Sequence, residues 1–333
     1  MKYCLKDCTI RGVWAVVALA VLASCDSDLR ELCYDHSHQG SQLNVRFDWT
    51  AVGDDAQPAS MALGIFADGA QPVQTAFYGR EGGVVSLLPY TYGFIGFNDD
   101  TEFLSHRGRT WEEFEIYAQP TELKNFTRMF SGTRSVPMAR GTDDQQLVYE
   151  PDRLWTSAVS ERRITAVGEE TLTMRMRDAI TEYAFTVSNV ENLSYAVEVV
   201  ATLSGMSGSW LPASHRGTDT HCIIPFVLTG EDTTLSGTVR TFGHCPGKGD
   251  NHASHMLTIY AEMKDGSKVY FVTDVTDAMH DTDHTNPDDG GTGHTEVPIV
   301  IDKLPLPKPI TNGSGLQPDV DEWTEVFVTI PMG

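Results

Sequence analysis

Positive charge is scarce in this chain. Of its 333 residues only 24 are Lys or Arg, against 46 Asp or Glu, so the formal net charge is −22 at pH 7. Proteins that bind nucleic acid neutralise phosphates with basic surfaces, and this composition lacks the charge to build one. The negative charge also disfavours direct adhesion to anionic lipid. We therefore expect no nucleic-acid partner, and any membrane attachment must come from a lipid rather than from surface charge.

The sequence also lacks the motifs of common catalytic centres. It contains no G-x-S-x-G nucleophile elbow, no H-E-x-x-H zinc motif and no Walker loop. Paired carboxylates occur throughout so acidic a chain, and none of them stands out as a glycosidase pair. The serines of "LSGMSGSW" (203–210) lie between glycines with no helix after them, which we interpret as a flexible loop. We expect no enzymatic activity and no cofactor.

Long apolar runs are absent from the N-terminus, where a short one takes their place. Residues 13–23 are 11 consecutive apolar residues after a basic start, whereas a membrane-spanning helix needs about 20. This pattern, with small residues before a cut site, describes a secretory signal. The tetrapeptide Leu22-Ala23-Ser24-Cys25 matches the bacterial lipobox, in which the cysteine thiol receives diacylglycerol. We predict that residues 1–24 are a signal peptide and that Cys25 is lipidated; the alternative is an ordinary secretory signal with an incidental cysteine.

Residues 25–40 would then form a lipidated tether, and its start is acidic. Asp26, Asp28 and Glu31 follow the lipidation site closely. This patch resembles the acidic signal that sends Bacteroidetes lipoproteins to the outer leaflet of the outer membrane, although incidental charge on a solvated tether is an equal alternative. The expected location is the outer membrane, held by the N-terminal lipid and facing the cell exterior.

Cysteine is too rare for a disulfide-built scaffold. Besides Cys25, only Cys33, Cys222 and Cys245 remain after the signal peptide, and the compartment is oxidising. Cys222 and Cys245 flank two strand-like stretches, which makes them the candidate disulfide pair. Cys33 would then remain a free thiol.

Helical periodicity is nearly absent, and strand-like alternation takes its place. Only stretches such as 121–130 and 157–163 are candidates for helix. Asp265-Gly266 has the residue types of a tight hairpin turn. Short strands at this spacing favour β-sandwiches over a parallel α/β sheet. The strand-like segments are 43–49, 62–67, 91–98, 112–118, 171–178, 183–190, 195–203, 222–230, 234–243, 255–263, 268–275, 296–304 and 324–331.

The length suits two domains, because single cores usually stop growing at roughly 250–300 residues. Strand density rises after a natural boundary near 165–180. We predict an N-terminal β-sandwich over 41–175 and a C-terminal β-sandwich over 176–333.

Two polar segments carry the residue types of metal ligands. The first, 277–295, is rich in Asp and includes His280 and His284; the second contains His244, Cys245, His252 and His255. The first fits no EF-hand spacing, and a zinc pair at His280 and His284 would need a helix that its Gly, Pro and Asn disfavour. We interpret both segments as solvated loops and expect no metal site.

Several of these features together resemble the Bacteroidales fimbrillin superfamily, the FimA/FimB and Mfa type of fimbrial subunits and fimbrillin-like lipoproteins. They are the lipobox, the acidic start, the all-β layout, "ATLSGMSGSW" at 201–210 and "GSGLQPDVDEWTEVFVTIPM" at 313–332. The resemblance is strongest over residues 180–332. It implies an all-β fold of two consecutive transthyretin-like β-sandwich domains after a lipoprotein signal peptide.

The resemblance also implies assembly by strand exchange with other fimbrial subunits. Polymerising subunits lose an N-terminal strand by cleavage after an arginine, and the opened groove receives a neighbour's strand. Anchor subunits keep their N-terminus and lipid. Arg30 and Arg46 are the arginines near the mature start, and neither has a distinctive cleavage context. We therefore favour a fimbrial anchor or accessory subunit, or a fimbrillin-like adhesin; residues 324–331 are either an integral or a donated strand.

The alternative function is a surface lipoprotein that binds glycans for nutrient capture. Aromatic side chains would form its platform, although each candidate is better explained as packing in a sandwich core or covering a strand end. The receptor on a host or bacterial surface is not identified by the sequence. The candidate residues are Trp49, Trp111, Trp155, Trp210 and Trp323.

Overall fold

The structure, a computed structural model, describes residues 40–53, 56–131, 135–165, 168–245, 254–281, 296–309 and 323–326. These residues form 22 strands and two short helices. The first eleven strands are β1 (Ser41–Asp48), β2 (Ser60–Phe66), β3 (Val73–Tyr78), β4 (Gly82–Leu87), β5 (Thr91–Asn98), β6 (Leu104–Arg107), β7 (Glu115–Ala118), β8 (Gln146–Leu147), β9 (Trp155–Arg163), β10 (Glu169–Arg175) and β11 (Arg177–Asp178). The others are β12 (Thr181–Glu191), β13 (Ala196–Ser207), β14 (Ser209–Leu211), β15 (Arg216–Gly217), β16 (His221–Val227), β17 (Thr229–Glu231), β18 (Thr234–Thr241), β19 (Met256–Met263), β20 (Lys268–Asp274), β21 (Glu296–Pro305) and β22 (Trp323–Glu325). The helices are α1 (Leu123–Phe126) and α2 (Thr276–Asp281), with 3₁₀ turns at Arg128–Phe130 and Leu193–Tyr195.

Two sheets of the N-terminal half enclose one core. A three-stranded sheet has the order β10-β1-β4, and a five-stranded sheet has the order β11-β9-β5-β2-β3. Strand β1 is central in the first sheet, parallel to β10 and antiparallel to β4. Its alternating sequence explains its placement, because Leu43, Val45 and Phe47 point into the core while the residues between them are exposed or half-buried.

Two further sheets enclose the core of the C-terminal half. One has the order β17-β18-β12-β21, and the other has the order β22-β20-β19-β13-β16-β8. Strand β12 turns Tyr183, Phe185 and Val187 inward, and Phe185 packs against Phe226 of β16 with ring centroids 5.3 Å apart. The expected all-β fold class is confirmed.

A small fifth sheet joins the two halves. Its order is β15-β14-β7-β6, so strands on both sides of the predicted boundary at 175/176 pair with each other. The larger hydrophobic core also contains residues of both halves, since Phe97 and Phe114 of the N-terminal half and Trp210 of the C-terminal half belong to one cluster of buried residues. The division into 41–175 and 176–333 stays a prediction.

Local expectations met different outcomes. The Asp265-Gly266 turn is confirmed, because it connects antiparallel β19 and β20 with a φ of +82° at Gly266. A helix over 157–163 is wrong; this segment belongs to β9, which pairs with β5. The stretch 121–130 contains only the four residues of α1 and a 3₁₀ turn. The expectation of a flexible loop at 203–210 is also wrong.

That last segment is buried and consists of strand except at Gly208, which lies between β13 and β14. Residues 203–207 continue β13 and 209–211 form β14, and the ladder to β16 shifts register between Leu203 and Met206. Gly205 has a φ of +78° within this irregularity. Gly205 therefore serves a β-bulge, and Gly208 serves the bend between β13 and β14, rather than a flexible loop. No helix among the described residues is long and apolar enough to cross a membrane.

Candidate subunit interface

Strand β1 holds Arg46, the one of the two candidate cleavage arginines that the structure describes. The Arg46 backbone lies between Thr173 of β10 and Gly82 of β4, so the strand is paired on both sides. The neighbouring side chains of Val45 and Phe47 are 1% and 5% exposed. The Arg46 side chain itself points to solvent. A protease could reach its backbone only after β1 had left the sheet.

The two sheets of the N-terminal half each end in a strand without a second partner. Within the part of the chain that the structure describes, β3 pairs only with β2 and β4 only with β1. These strands are connected through residues 79–81, which places both free edges on one side of the sandwich. Phe77 of β3 packs directly on Gly83 of β4, where an added Cβ would lie 2.8 Å from its ring. We call β3 and β4 with residues 88–90 the open edge.

The open edge is apolar in an otherwise acidic protein. Its strands read VQTAFY and GGVVSL, with no charged residue and no proline. Edge strands of soluble proteins are normally protected by such residues, because unpaired N–H and C=O groups recruit other strands. The exposed large apolar side chains here are Val73 (59%), Tyr78 (100%), Val84 (60%), Leu88 (54%) and Tyr90 (48%). The open edge has the chemistry of a strand acceptor.

A cleft of about 1110 Å³ adjoins the open edge. Phe66, Tyr90, Tyr92 and Trp111 are its aromatic lining residues, and Arg109 and Glu112 are charged ones. The indole of Trp111 packs on Gly93, where a Cβ would lie 2.6 Å from its ring, and its Nε1 donates to the Phe94 carbonyl at 3.2 Å. Burial raises the pKa of Tyr92, and the neighbouring Tyr90 adds to the rise.

Most of the candidate carbohydrate-binding tryptophans lie elsewhere. Trp49 and Trp155 pack edge to face in the N-terminal core with centroids 5.8 Å apart. Trp210 is 6% exposed and donates from Nε1 to a threonine hydroxyl. Trp323 packs against Phe130 and Tyr260. Trp111 is the one of the five that lines the cleft.

The two candidate disulfide cysteines are both buried thiols. Cys222 lies opposite Met206 in the ladder of β13 and β16, and the Cys245 thiol donates to the Thr218 carbonyl at 3.4 Å. Burial is the main cause that raises the pKa of each thiol, to about 11 for Cys245, where Asp219 contributes as well. The disulfide stays a prediction.

The two polar segments rich in metal-ligand residues meet in the fold. His244 and His255 of one segment lie beside His280 of the other, and ligand atoms of the three imidazoles lie within 4.8 Å of one another. His280 lies on α2, so the expectation of no helix at this position is wrong. Sequence spacing missed this cluster because its members come from two segments, and His244 and His280 are 36 residues apart.

Several expected features lie outside the described residues. They are the signal peptide 1–24, Cys25 and its lipid, Cys33, Arg30, the acidic tether, and residues 327–331 of the final strand-like segment. His252 and His284 also lie outside them. Residues 323–325 form β22, which pairs parallel to β20.

Comparison with known proteins decides the family. Residues 24–227, more than half of the chain, match the family described as Domain of unknown function (DUF5119). This chain belongs to the DUF5119 family. The resemblance to fimbrillin-like proteins is confirmed at the level of family.

One curated relative of this DUF5119 protein comes from Bacteroides ovatus and is provisionally named fimbrium anchoring subunit Fim4B. It is 22% identical over 251 residues, which is 74% of this chain and 64% of the relative. The match therefore spans less than two thirds of the relative's length.

A solved structure shows the same fold. A protein from Bacteroides ovatus described provisionally as an adhesin aligns with a TM-score of 0.58 and 19% identity, over 82% of this chain and 95% of its own. The fimbrial anchor protein Mfa2 from Porphyromonas gingivalis aligns with a TM-score of 0.46 and 12% identity, over 79% and 90%. The second likeness is too distant to carry an argument about this chain.

Proposed function

We propose that this chain is a non-enzymatic anchoring or accessory subunit of a fimbrium, held in the outer membrane by a lipid on Cys25. Two findings support the proposal: the chain is fimbrillin-like, and a relative is named as an anchoring subunit. The observation that carries the anchor role, as opposed to a polymerising one, is the position of Arg46 in the middle of a doubly paired strand.

An anchor must keep its N-terminal segment, because the lipid is attached there. Cleavage after Arg46 would cut β1 between Val45 and Phe47, two residues of the core. Strand β1 would have to break its ladders with β4 and β10 before a protease could bind it. The fold therefore favours retention of β1 against cleavage after Arg46.

The partner is proposed to be a strand from a neighbouring fimbrial subunit. The open edge offers unpaired backbone groups and exposed Val84 and Tyr78 to such a strand. Added strands gain affinity from main-chain hydrogen bonds and specificity from alternate side chains. The absence of charge from β3 and β4 removes the usual barrier to this pairing.

The anchor role is tested by the mature N-terminus and by fimbrial retention. Mass spectrometry of the surface-exposed protein should find a lipid-modified Cys25 peptide continuous with β1. Deletion of the gene, or Cys25→Ala, should release fimbriae into the medium without stopping their polymerisation. A mature chain that begins at Phe47, or fimbriae that stay on the cells of the deletion strain, would contradict the anchor role.

Strand acceptance is tested at the open edge. Val84→Lys, at 60% exposure, should abolish cross-linking to neighbouring subunits in the outer membrane. Val227→Lys is the matched control, since Val227 is 56% exposed at the end of β16 in the other half. Equal cross-linking in wild type and Val84→Lys would place the partner elsewhere.

A second candidate function is glycan binding at the cleft beside the open edge. Its specific support is that Tyr90, Tyr92 and Trp111 line the same cleft. On a glycan array, the wild type should bind and Trp111→Ala should not, whereas Trp323→Ala should bind as the wild type does. Absence of wild-type binding across the array would reject this function.

A further inference from the structure

Three histidines converge at the end of the C-terminal sandwich. His244 follows β18, His255 precedes β19, and His280 lies on α2 after β20. The hairpin of β19 and β20 explains part of this, because it pairs Met256 with Asp274 and so brings the start of one strand beside the end of the other. The rings of His244 and His280 stack with centroids 4.7 Å apart.

Backbone contacts hold the three segments together. His255 donates its N–H to the Thr276 hydroxyl at 2.8 Å, and its carbonyl accepts from Val275 at 2.9 Å, which ties it to the start of α2. His244 forms a β-bridge with Met206 of β13. A side chain on Gly205 would leave no room for this arrangement, since its Cβ would lie 2.9 Å from the His255 Nδ1.

The hydrogen bonds assign the tautomers of two imidazoles. The His255 Nδ1 lies 3.2 Å from the Ser204 carbonyl, which can only accept, so this nitrogen carries the proton. The His255 Nε2 therefore has a lone pair and accepts from the His244 Nδ1 at 2.9 Å. The His244 Nε2 then accepts from the Tyr183 hydroxyl at 3.2 Å.

We propose that His244, His255 and His280 form a binding site for a divalent transition-metal ion, Zn²⁺ by preference. Three imidazole nitrogens with water in a fourth position are an established zinc ligand set, and imidazole suits zinc better than calcium or magnesium. The ligand atoms lie within 4.8 Å of one another, whereas tetrahedral coordination at 2.0–2.1 Å sets them about 3.4 Å apart. The longest of these separations therefore closes by about 1.4 Å when the metal binds.

The groups around the cluster are those that hold metal-binding histidines. Such a histidine usually donates its second N–H to a carbonyl or another oxygen, which fixes the ring. The Ser204 carbonyl does this for His255. The Tyr183 hydroxyl can do it for His244 once the ring proton moves from Nδ1 to Nε2, so no proton need leave the protein.

Charge also favours a cation at this place. The buried His255 ring has its Nε2 lone pair available because the Ser204 carbonyl holds the proton on Nδ1. The negative charge of Asp274 acts electrostatically on the same ring and would attract a bound cation. The chain as a whole carries a net charge of −22.

The proposal is tested on the purified full chain without a polyhistidine tag, stripped of metal with a chelator. Equilibrium dialysis against Zn²⁺ should give one tightly bound ion per chain. The variants His244→Gln and His280→Gln should each weaken this ion's binding by more than about 100-fold, and Tyr183→Phe by about 10- to 100-fold. The matched control His106→Gln, an exposed histidine of β6, should bind as the wild type does.

Two further measurements keep the test decisive if a variant folds poorly. Zn²⁺ at about 100 times its Kd should raise the wild-type Tm by about 4 °C. Anomalous diffraction at the zinc edge should show an ion bonded to nitrogens of His244, His255 and His280. Unchanged zinc binding in both ligand variants, an ion elsewhere, or no tight binding in the wild type would overturn the proposal and leave the anchor role intact.

Discussion

The buried position of β1 predicts how slowly the chain is cut after Arg46 and what would accelerate cleavage. Leu43 is 0% exposed in β1, and its truncation removes most of a side chain from the N-terminal core. Leu→Ala changes at such positions cost about 2–5 kcal/mol. When strand opening and closing are fast, cleavage follows the population of the open form. Leu43→Ala should therefore accelerate cutting after Arg46 by about 30-fold or more, since about 1.4 kcal/mol is tenfold.

The assay is limited trypsinolysis with mass spectrometry of the Arg46 cleavage product. Leu235→Ala is the matched control, because Leu235 is also 0% exposed but lies in β18 of the C-terminal half. It should leave the rate at Arg46 unchanged. Rapid cutting of the wild type after Arg46 would refute the reasoning. So would equal acceleration by both variants, which would mean that β1 opens only when the whole chain unfolds.

Two further predictions concern the stability of the fold, and thermal or urea unfolding checks both. Gly205→Ala should lower the free energy of unfolding by about 2 kcal/mol or more, because the backbone has a φ of +78° and the new Cβ would lie 2.4 Å from a neighbouring carbonyl oxygen. Gly69→Ala, with a φ of +72° and nothing within 4 Å, should cost less; equal losses would reject the close approach as a cause. Burial raises the pKa of Glu115, but hydrogen bonds from Arg107 and Ser209 outweigh it and hold the pKa below its usual value. The stabilising effect of Glu115 should be present above about pH 4.5 and be lost as the pH falls through the folded-state pKa. Glu115→Gln should lower the free energy of unfolding by less than about 1 kcal/mol at pH 7. If acidification destabilised Glu115→Gln more than the wild type, the expected direction of the pH dependence would be wrong.

The strands were the part of the fold most accessible from sequence. The alternation of 183–190 predicts β12, and that of 296–304 predicts β21, because each strand has one face in a core and one face outside it. The helix expected over 157–163 was wrong because the serines, glutamate and arginines of this segment give no clear hydrophobic period. Pairing with β5 makes it a strand, and this tertiary contact is not visible in the local sequence.

The histidine cluster was partly within reach of the sequence. The predicted turn at Asp265-Gly266 defines a hairpin, and counting outward from it places His255 opposite Val275, directly before α2. His280 then follows within about one helical turn. The sequence could not predict that His244 lies beside these two histidines, because its position depends on the bulge at Gly205 and the bridge to Met206.

The open edge needed the structure for a similar reason. The apolar segments 73–78 and 82–87 look like ordinary strands, and nothing local says that each will be last in its sheet. Sheet order is a property of the whole chain, set by which strands β1 and β2 accept as neighbours.

The small sheet of β6, β7, β14 and β15 has a mechanical consequence. In the proposed anchoring role the chain would be pulled at both ends, and the load would cross from one half of the chain to the other. Strand β7 pairs with β14 through Tyr117 and Ile116, and the Ala118 N–H adds a hydrogen bond to Gly208. Such a load would be shared by several hydrogen bonds in parallel and by the core beneath them, in addition to the covalent chain between β10 and β11.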